Sequence, residues 1–414
     1  MWTPVAIAVL VQALLFLTVP PETTVDSASY MAQAESLAAT GTARNELGEP
    51  DTKRTPGYPL FLAIFLAGGA GYPGAIAAQR LAWILIVAAT TFLSYRLTGS
   101  VIAAVVAGVI SAIDLPALQA TNSILTETLA AVLVCVAAWQ AYRSARSRNV
   151  RAAIVAGLLA GAVAMVRPVA ILLGVPLAVA LLIASPRRLR MPAAALLIAS
   201  LVMPAAWIAR NYAQTGIATF SSISSINLLL FRAAGTLAIR DPGGVDANIQ
   251  RRQAELEAEA CRVAEARFGR ACESLPLTER ASVYGSMAMP IILGDPIATA
   301  MQAARAFVMI MFGGGANMLA ATTGISESTA RIAGFAYTVP LALLAAIGVA
   351  YWWRIDRAAA AIIFLTIAYL VLMSLGVEAY SRFRVPFLPL YAMLAGGGAA
   401  ALAERWTRRN PRPR

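Results

Sequence analysis

The stretch LTETLAAVLVCVAAWQAYRSARSRNVR, residues 125–151, predicts the class of the fold. It opens near a carboxylate, Glu127, continues as an apolar run of membrane-spanning length to residue 142, and ends in an arginine-rich connector. Similar apolar runs recur almost from end to end of the chain, and arginines gather in the short connectors between them. This arrangement is typical of a polytopic membrane protein, whose short cytoplasmic loops are rich in basic residues.

The composition supports the same class. Hydrophobic residues make up 59% of the 414 positions and charged residues 13%, whereas soluble domains are roughly 45–50% apolar and about 25% charged. A soluble globular fold is therefore excluded. The formal net charge of +12 does not indicate nucleic-acid binding, because Lys53 is the only lysine and the arginines lie in the short connectors.

The apolar runs predict an all-α membrane protein with about ten transmembrane helices, folded as a single domain over residues 1–414. The predicted spans are residues 2–19, 75–97, 101–118, 125–142, 152–166, 169–184, 192–209, 333–353, 358–375 and 386–402. Two further runs, 58–67 and 297–312, are predicted as re-entrant or interfacial helices. The first is too short to span, and a crossing by the second would place neighbouring arginines on the wrong side, so its status stays open.

The arginines also predict the orientation. The connectors around residues 143–151, 187–190 and 354–357 and the basic tail 405–414 are expected in the cytoplasm. Two loops then face outwards: the first loop, residues 20–56, with a helix lying along the interface, and the long loop, residues 211–295, with a charged helix standing in solvent.

Two cysteines of the long loop, Cys261 and Cys272, are disulfide candidates. On a straight helix they would lie about 16 Å apart, too far for a bond. Gly269 could end the helix and let the chain double back, and a periplasmic location would then favour the disulfide over two free thiols. Two unpaired cysteines are the alternative.

Ionisable residues near the membrane predict a functional site on the outer face, because burying them there is costly. They are Asp26, Asp114, Glu127, Arg167, Arg210, Glu378, Arg382 and Arg384. The chain has no histidine, so proton transfer near neutral pH falls mainly to Asp or Glu. Each residue also has a structural interpretation: Arg167 and Arg210 could reach lipid headgroups, and Glu378 could pair with a neighbouring arginine.

Carboxylates beside arginines suit transfer of a sugar from a phosphate. Arginines bind phosphate through charge-assisted hydrogen bonds and stabilise the charge that develops on a phosphate leaving group. A carboxylate can take the proton from an attacking hydroxyl, as the base does in inverting glycoside chemistry.

Six strings carry a resemblance to a known family. They are DSASYMAQAESLAATG (26–41), KRTPGYPLFLAIF (53–65), NSILTETLAAVLV (122–134), MVRPVAILL (165–173), WIARNYAQTG (207–216) and EAYSRFRVPFLPLYAML (378–394). In this order they resemble landmarks of the GT-C glycosyltransferases of the protein-mannosyltransferase and lipid A aminoarabinose-transferase type. The resemblance implies a polyprenyl-phosphate-linked sugar as donor, transfer on the outer side, and inversion at the anomeric carbon.

The resemblance also implies residue roles. Asp26 matches the acidic residue of the family's first loop, which is a base or a group that orients the acceptor. Glu127 matches a second acidic position, with a role toward the acceptor or in support of the base. Arg54 matches a basic residue that contacts the donor phosphate. Further predicted ligands of that phosphate are Arg210, Arg382 and Arg384, and predicted supporting residues are Tyr58, Arg167 and Glu378. Tyr58 could instead be an interfacial anchor.

The sequence departs from the family at two places. Ser27 follows Asp26 where many relatives have a second carboxylate. Some relatives bind a metal through a histidine and a glutamate, whereas this chain has no histidine and has Lys53 beside Arg54. A divalent metal is therefore left open as a cofactor.

The sequence thus predicts a glycosyltransferase of the bacterial inner membrane whose active site faces the periplasm. The acceptor is a cell-envelope glycan, lipid or protein, and no nucleic acid is involved. The alternatives are a transporter or flippase of lipid-linked substrates and a non-catalytic membrane scaffold. A transporter is disfavoured because the sequence shows no internal repeat.

Overall fold

The computed structural model describes residues 2–376 and 380–410, apart from the side chains at 317 and 322. Nineteen α-helices occur within these residues. The N-terminal ten are α1 Thr3–Thr18, α2 Val25–Thr40, α3 Gly57–Ala67, α4 Gly71–Thr98, α5 Val101–Ile113, α6 Leu115–Asn122, α7 Glu127–Ser147, α8 Val150–Val166, α9 Gly174–Ala184 and α10 Arg190–Thr215. The others are α11 Ser222–Ile226, α12 Ala234–Ala238, α13 Val245–Phe268, α14 Leu277–Gly294, α15 Pro296–Phe312, α16 Ala316–Thr323, α17 Glu327–Ile355, α18 Arg357–Met373 and α19 Leu388–Arg409.

The long apolar helices make this a multi-pass membrane protein. Five helical segments of the described chain are long and apolar enough to cross a bilayer: α4, α7, α10, α17, and α19 with the 3-10 turn before it. Large apolar side chains point outwards along them, such as Ile198 at 68% exposure and Leu343 at 62%. Outward apolar side chains suit contact with lipid tails rather than with water.

The span count differs from the predicted ten. The predicted spans coincide with helices, but α1, α8, α9 and α18 have fewer than eighteen residues. The predicted span 101–118 is two helices, α5 and α6, bent by 51°. The bend occurs at Asp114, whose Oδ1 accepts a hydrogen bond from the Ala117 amide at 3.2 Å and so begins a new helix.

Small residues bring the long helices together. Added Cβ atoms at Gly348 and Gly398 would collide with the carbonyl oxygens of Leu394 and Leu344, so α17 and α19 touch backbone to backbone. Gly157 allows the same approach between α8 and α10. Close contact through small residues is the usual way helices associate in membranes, where burial from water cannot drive packing.

The long loop is a small helical unit rather than a loop in solvent. Its charged helix, α13, buries Leu256, Ala260 and Ala264 against apolar residues of the segments 226–237 and 275–292. The expectation that α13 stands free in solvent is therefore wrong. Cys261 and Cys272 form a disulfide, and α13 ends at Gly269, whose φ of +68° lets the chain turn back.

Helix α7 separates Glu127 from the arginine-rich connector that follows the helix. Glu127 begins α7, whereas Arg146 lies near the other end of the same helix, about 28 Å away at 1.5 Å per residue. Arg146 approaches Asp356 at 3.9 Å, just before α18 begins. The arginine-rich connectors are thus separated from the carboxylates discussed next by the length of one spanning helix.

Candidate active site

Asp26 lies at the start of α2, where the chain leaves α1. The helix begins at Thr24, whose backbone N–H donates to Ser27 Oγ at 2.8 Å, and Ser27 Oγ donates to the carbonyl of Ile124 at 3.0 Å. Ser27 therefore caps the first turn of α2 and connects it to the segment before α7. The Asp26 carboxylate is left free to face two arginines.

Arg54 and Arg382 hold the two oxygens of the Asp26 carboxylate. Arg54 Nη2 donates to Oδ1 at 2.7 Å and Arg382 Nη2 donates to Oδ2 at 2.8 Å. Burial alone would raise the pKa of Asp26, but the two guanidinium groups outweigh it and hold the pKa below its usual value. Asp26 is therefore an anion at neutral pH, and its side chain remains 32% exposed.

Arg54 is positioned by α2. Its Nε donates to Ser29 Oγ at 3.1 Å, its Nη1 donates to the Tyr30 hydroxyl at 3.2 Å, and its guanidinium lies 4.7 Å from the centre of the Tyr30 ring. Tyr58 packs edge-on against Tyr30 with ring centres 5.2 Å apart. Tyr58 is fully buried and its hydroxyl donates to Gln79 Oε1 at 2.8 Å, so it supports Tyr30 and is not an exposed interfacial anchor.

A second carboxylate, Glu127, lies beside this group. Its Oε1 forms an ion pair with Arg167 Nη1 at 2.8 Å, and the side-chain exposures of Glu127 and Arg167 are 2% and 13%. Arg382 Nε approaches the same oxygen at 3.8 Å. Arg382 therefore stands between Asp26 and Glu127 and joins the two pairs.

These five residues form one ionic network: Asp26, Arg54, Glu127, Arg167 and Arg382. Three guanidinium groups and two carboxylates give it a net charge of +1. The Phe383 ring lies 5.2 Å from the Arg167 guanidinium and 5.5 Å from that of Arg382, which holds both arginines in place. The network can therefore accept an anion, and Asp26 and Arg382 are its exposed members.

Two predicted phosphate ligands lie outside the ionic network. Arg384 is fully buried, donates to Asp114 Oδ2 at 2.6 Å and to the Met311 carbonyl at 3.0 Å, and so has no surface for a ligand. Arg210 donates to the carbonyl oxygens of Asp51 and Ala43 at 2.9 and 2.7 Å. Both therefore hold backbone segments together in this structure. Glu378 lies outside the described residues.

Ser29 and Tyr30 are parts of the site that were not predicted from the sequence. Both lie about one helical turn after Asp26, so they share its face of α2. That spacing was a usable signal. No group of three or more His, Cys, Asp or Glu that could hold a metal occurs in the described part of the chain.

No known protein family and no curated protein matches the sequence of the chain. Solved structures do match its fold. The archaeal oligosaccharyltransferase AglB from Archaeoglobus fulgidus, in complex with an inhibitory peptide and a dolichol-phosphate, superposes with a TM-score of 0.54 at 12% identity. The match covers 100% of this chain and 52% of AglB, so the chain spans about half the length of that protein.

Two structures of ArnT from Cupriavidus metallidurans also match. The form bound to undecaprenyl phosphate gives a TM-score of 0.41 at 14% identity over 99% of this chain and 79% of that one. The apo form gives 0.39 at 15% identity over 95% and 76%. The likeness to AglB confirms the predicted fold class: the chain shares a polytopic helical fold with that oligosaccharyltransferase.

Proposed function

We propose that the protein is a membrane glycosyltransferase that moves a sugar from a polyprenyl phosphate to a cell-envelope acceptor, with inversion at the anomeric carbon. One observation carries this proposal: Asp26 lies between two arginines in an ionic network with a surplus positive charge. A carboxylate base next to a phosphate-binding pair is the machinery that such a transfer needs. AglB, which shares the fold, was solved with a dolichol-phosphate.

In the proposed reaction the acceptor oxygen attacks the anomeric carbon of the donor. A new carbon–oxygen bond forms as the bond between that carbon and the donor phosphate breaks. The phosphate leaves with the electron pair of that bond, and Arg54 and Arg382 stabilise its charge. The acceptor proton passes to Asp26.

The Asp26 carboxylate and the donor phosphate compete for Arg54 and Arg382, and this competition explains how Asp26 becomes a base. While it holds both guanidinium groups, its depressed pKa makes it a weak proton acceptor. A donor phosphate that shares the same groups weakens their hold on Asp26 and raises its basicity. Glu127 keeps Arg167 and Arg382 in place during this exchange, which supports the base as the sequence predicts.

We place the site on the periplasmic side of a bacterial inner membrane. The arginine-rich connectors lie one helix length away, and such connectors are favoured in the cytoplasm. The disulfide Cys261–Cys272 suits an oxidising compartment. Labelling of engineered cysteines from outside intact cells checks the placement.

The test of the function uses a strain that lacks the protein. Complementation with the wild-type gene restores a glycan or glycolipid of the envelope, which mass spectrometry detects, whereas Asp26→Asn does not restore it. Glu327→Gln is the matched control, because Glu327 is an exposed carboxylate whose ion pair within the described residues is with Arg331 at 3.1 Å. Purified Asp26→Asn is also expected to release no polyprenyl phosphate from extracted lipid-linked sugars. An unchanged envelope in the deletion strain, or full activity of Asp26→Asn, contradicts the proposal.

A further inference from the structure

A polar cavity lies beside the ionic network. Its volume is about 490 Å³, and it is enclosed by α2, the first loop, the C-terminal end of α10 and the first turn of α14. Pockets that hold small ligands have volumes of roughly 300–1,000 Å³. The cavity can therefore hold a group the size of a sugar unit.

Ser29 connects this cavity to the ionic network. It lines the cavity, its Oγ accepts the hydrogen bond from Arg54 Nε, and it donates to the backbone carbonyl of Asp26 at 3.0 Å. Arg54 in turn holds the Asp26 carboxylate. Two side chains, those of Ser29 and Arg54, thus link the cavity to the carboxylate of the proposed base.

The charge of the cavity is opposite to that of the network. Its charged lining residues are Glu46, Glu49, Asp51, Lys53 and Glu279. Arg270 neutralises Glu279 at 2.6 Å, which leaves three carboxylates against one ammonium group. This excess of negative charge stands out in a chain whose formal net charge is +12.

Two buried polar groups of the lining have unused hydrogen-bonding capacity. Thr278 is 5% exposed, and its hydroxyl makes no hydrogen bond with another described residue. Asp51 is 4% exposed; its Oδ1 accepts from the amides of Lys53 and Arg54 at 2.7 and 3.4 Å, and its Oδ2 has no hydrogen bond or ion pair among the described residues. Neither free oxygen is among the buried unpaired atoms of the described residues, so both are accessible from the cavity that their residues line and can hydrogen-bond a ligand there.

We infer that this cavity binds the acceptor as an uncharged or amine-bearing sugar unit and rejects phosphorylated ones. The inference rests on the proposed function, because it takes the bound molecule to be the acceptor of the transfer. Sugar hydroxyls donate to the carboxylates and to Thr278, and they accept from Lys53. A phosphate group in the cavity is repelled by three carboxylates, whereas the donor phosphate is attracted by the guanidinium groups of the network. The difference in charge therefore directs the acceptor sugar to the cavity and the donor phosphate to the network.

The test measures protection of a cysteine in the full-length protein. Ala32 lines the cavity and is half-buried, so Ala32→Cys places a small thiol on its wall. The rate of its reaction with a maleimide is measured with maltose, glucosamine or glucose 6-phosphate at constant ionic strength. We expect maltose and glucosamine to slow the reaction at least about fivefold more than glucose 6-phosphate does.

Two controls make the result specific. Glu257→Cys, on the exposed face of α13, reacts at the same rate with and without each sugar. Adding Thr278→Val to Ala32→Cys removes most of the protection by maltose, since the hydroxyl is lost at nearly constant volume. Equal protection by all three compounds, protection by glucose 6-phosphate alone, protection by none, or stronger protection by a serine-containing peptide overturns the inference.

The labelling reaction does not depend on catalysis. A failure of the cavity inference can therefore be distinguished from a failure of the proposed function. Protection by sugars in a protein whose Asp26→Asn variant keeps full activity leaves the cavity as a sugar site and removes the proposed reaction. Loss of activity in Asp26→Asn without any protection removes only the cavity inference.

Discussion

Arg382 reaches Asp26 across 356 residues of sequence, with Nη2 at 2.8 Å from Oδ2. The contact brings the 3-10 segment before α19 against the first turn of α2. The same guanidinium lies 3.8 Å from Glu127 through its Nε, which has no hydrogen bond to a described residue. Arg382 is therefore the residue through which the two carboxylates of the site influence each other.

Replacing Arg382 by Gln is expected to change the pH dependence of transfer. Asp26 must be ionised to act as a base, and Arg382 is one of the groups that hold its pKa below the usual value. Without Arg382 that pKa rises, so the acid limb of kcat/KM moves to higher pH. Loss of one phosphate ligand also lowers kcat/KM at neutral pH, on the order of 100-fold.

The measurement is the pH profile of kcat/KM for Arg382→Gln beside that of the wild type. Arg331→Gln is the control, because the ion pair of Arg331 within the described residues is with the exposed Glu327 and does not involve the ionic network. An acid limb that stays in place or moves to lower pH contradicts the role of Arg382.

Arg384, two residues after Arg382, is expected to affect the stability of the protein rather than the pH dependence of transfer. Its guanidinium and the Asp114 carboxylate are both fully buried. Removing one partner leaves an uncompensated charge, so Arg384→Gln is expected to lower the free energy of unfolding by about 3–5 kcal/mol. Arg382→Gln is expected to cost less stability, because that side chain is 24% exposed.

Thermal unfolding of both variants in one detergent checks this difference. If Arg384→Gln unfolds like the wild type and instead raises KM for the lipid-linked donor, Arg384 is a phosphate ligand as the sequence predicted.

The fold class was largely predictable from the sequence, and the number of spans was not. Hydropathy finds apolar runs, but it does not measure helix length or bends. The break at Asp114 depends on a hydrogen bond from one side chain to the start of a new helix. Likewise, α13 has only a narrow apolar stripe, and its burial depends on partners far away in sequence.

The residues of the site could be predicted in part, but the contacts between them could not. Position near the outer ends of spans identified Asp26, Glu127, Arg167 and Arg382, and the family resemblance added Arg54. The structure brings all five together. Arg382 and Arg384 have the same residue type and nearly the same position in sequence. Only the turn of the backbone between them decides which one reaches the carboxylates and which one is buried.

The buried pair Glu127–Arg167 allows a double-mutant cycle. Arg167→Met leaves Glu127, at 2% exposure, with the longer contact to Arg382 and a 3.4 Å hydrogen bond from Thr126 Oγ1, and without its close guanidinium partner. It is therefore expected to cost about 3–5 kcal/mol of unfolding free energy. Glu127→Gln costs less, because Arg167 keeps its hydrogen bond to Thr126 Oγ1 at 3.0 Å and its contact with Phe383.

The double variant Glu127→Gln/Arg167→Met is expected to be more stable than the sum of the single effects predicts, while its transfer activity stays low. The exposed pair Glu327–Arg331 is the control, with a coupling below about 1 kcal/mol. Additive effects at Glu127 and Arg167 mean that the two charges do not interact.

The disulfide is expected to stabilise the helical unit of the long loop. Cys261 and Cys272 are 11 residues apart in sequence. A disulfide that closes a loop of that length lowers the entropy of the unfolded chain and so stabilises the folded state by about 2–3 kcal/mol. Replacing both cysteines by serine therefore increases cleavage by a protease between α13 and α14, at the segment around Gly269. Cys135→Ser is the control for removing a thiol, because Cys135 is a free cysteine in α7. Helix α14 contributes Thr278 to the cavity wall, so the double serine variant is also expected to weaken the protection of Ala32→Cys by maltose. Unchanged cleavage of the double serine variant would show that the packing of α13 alone holds this unit together.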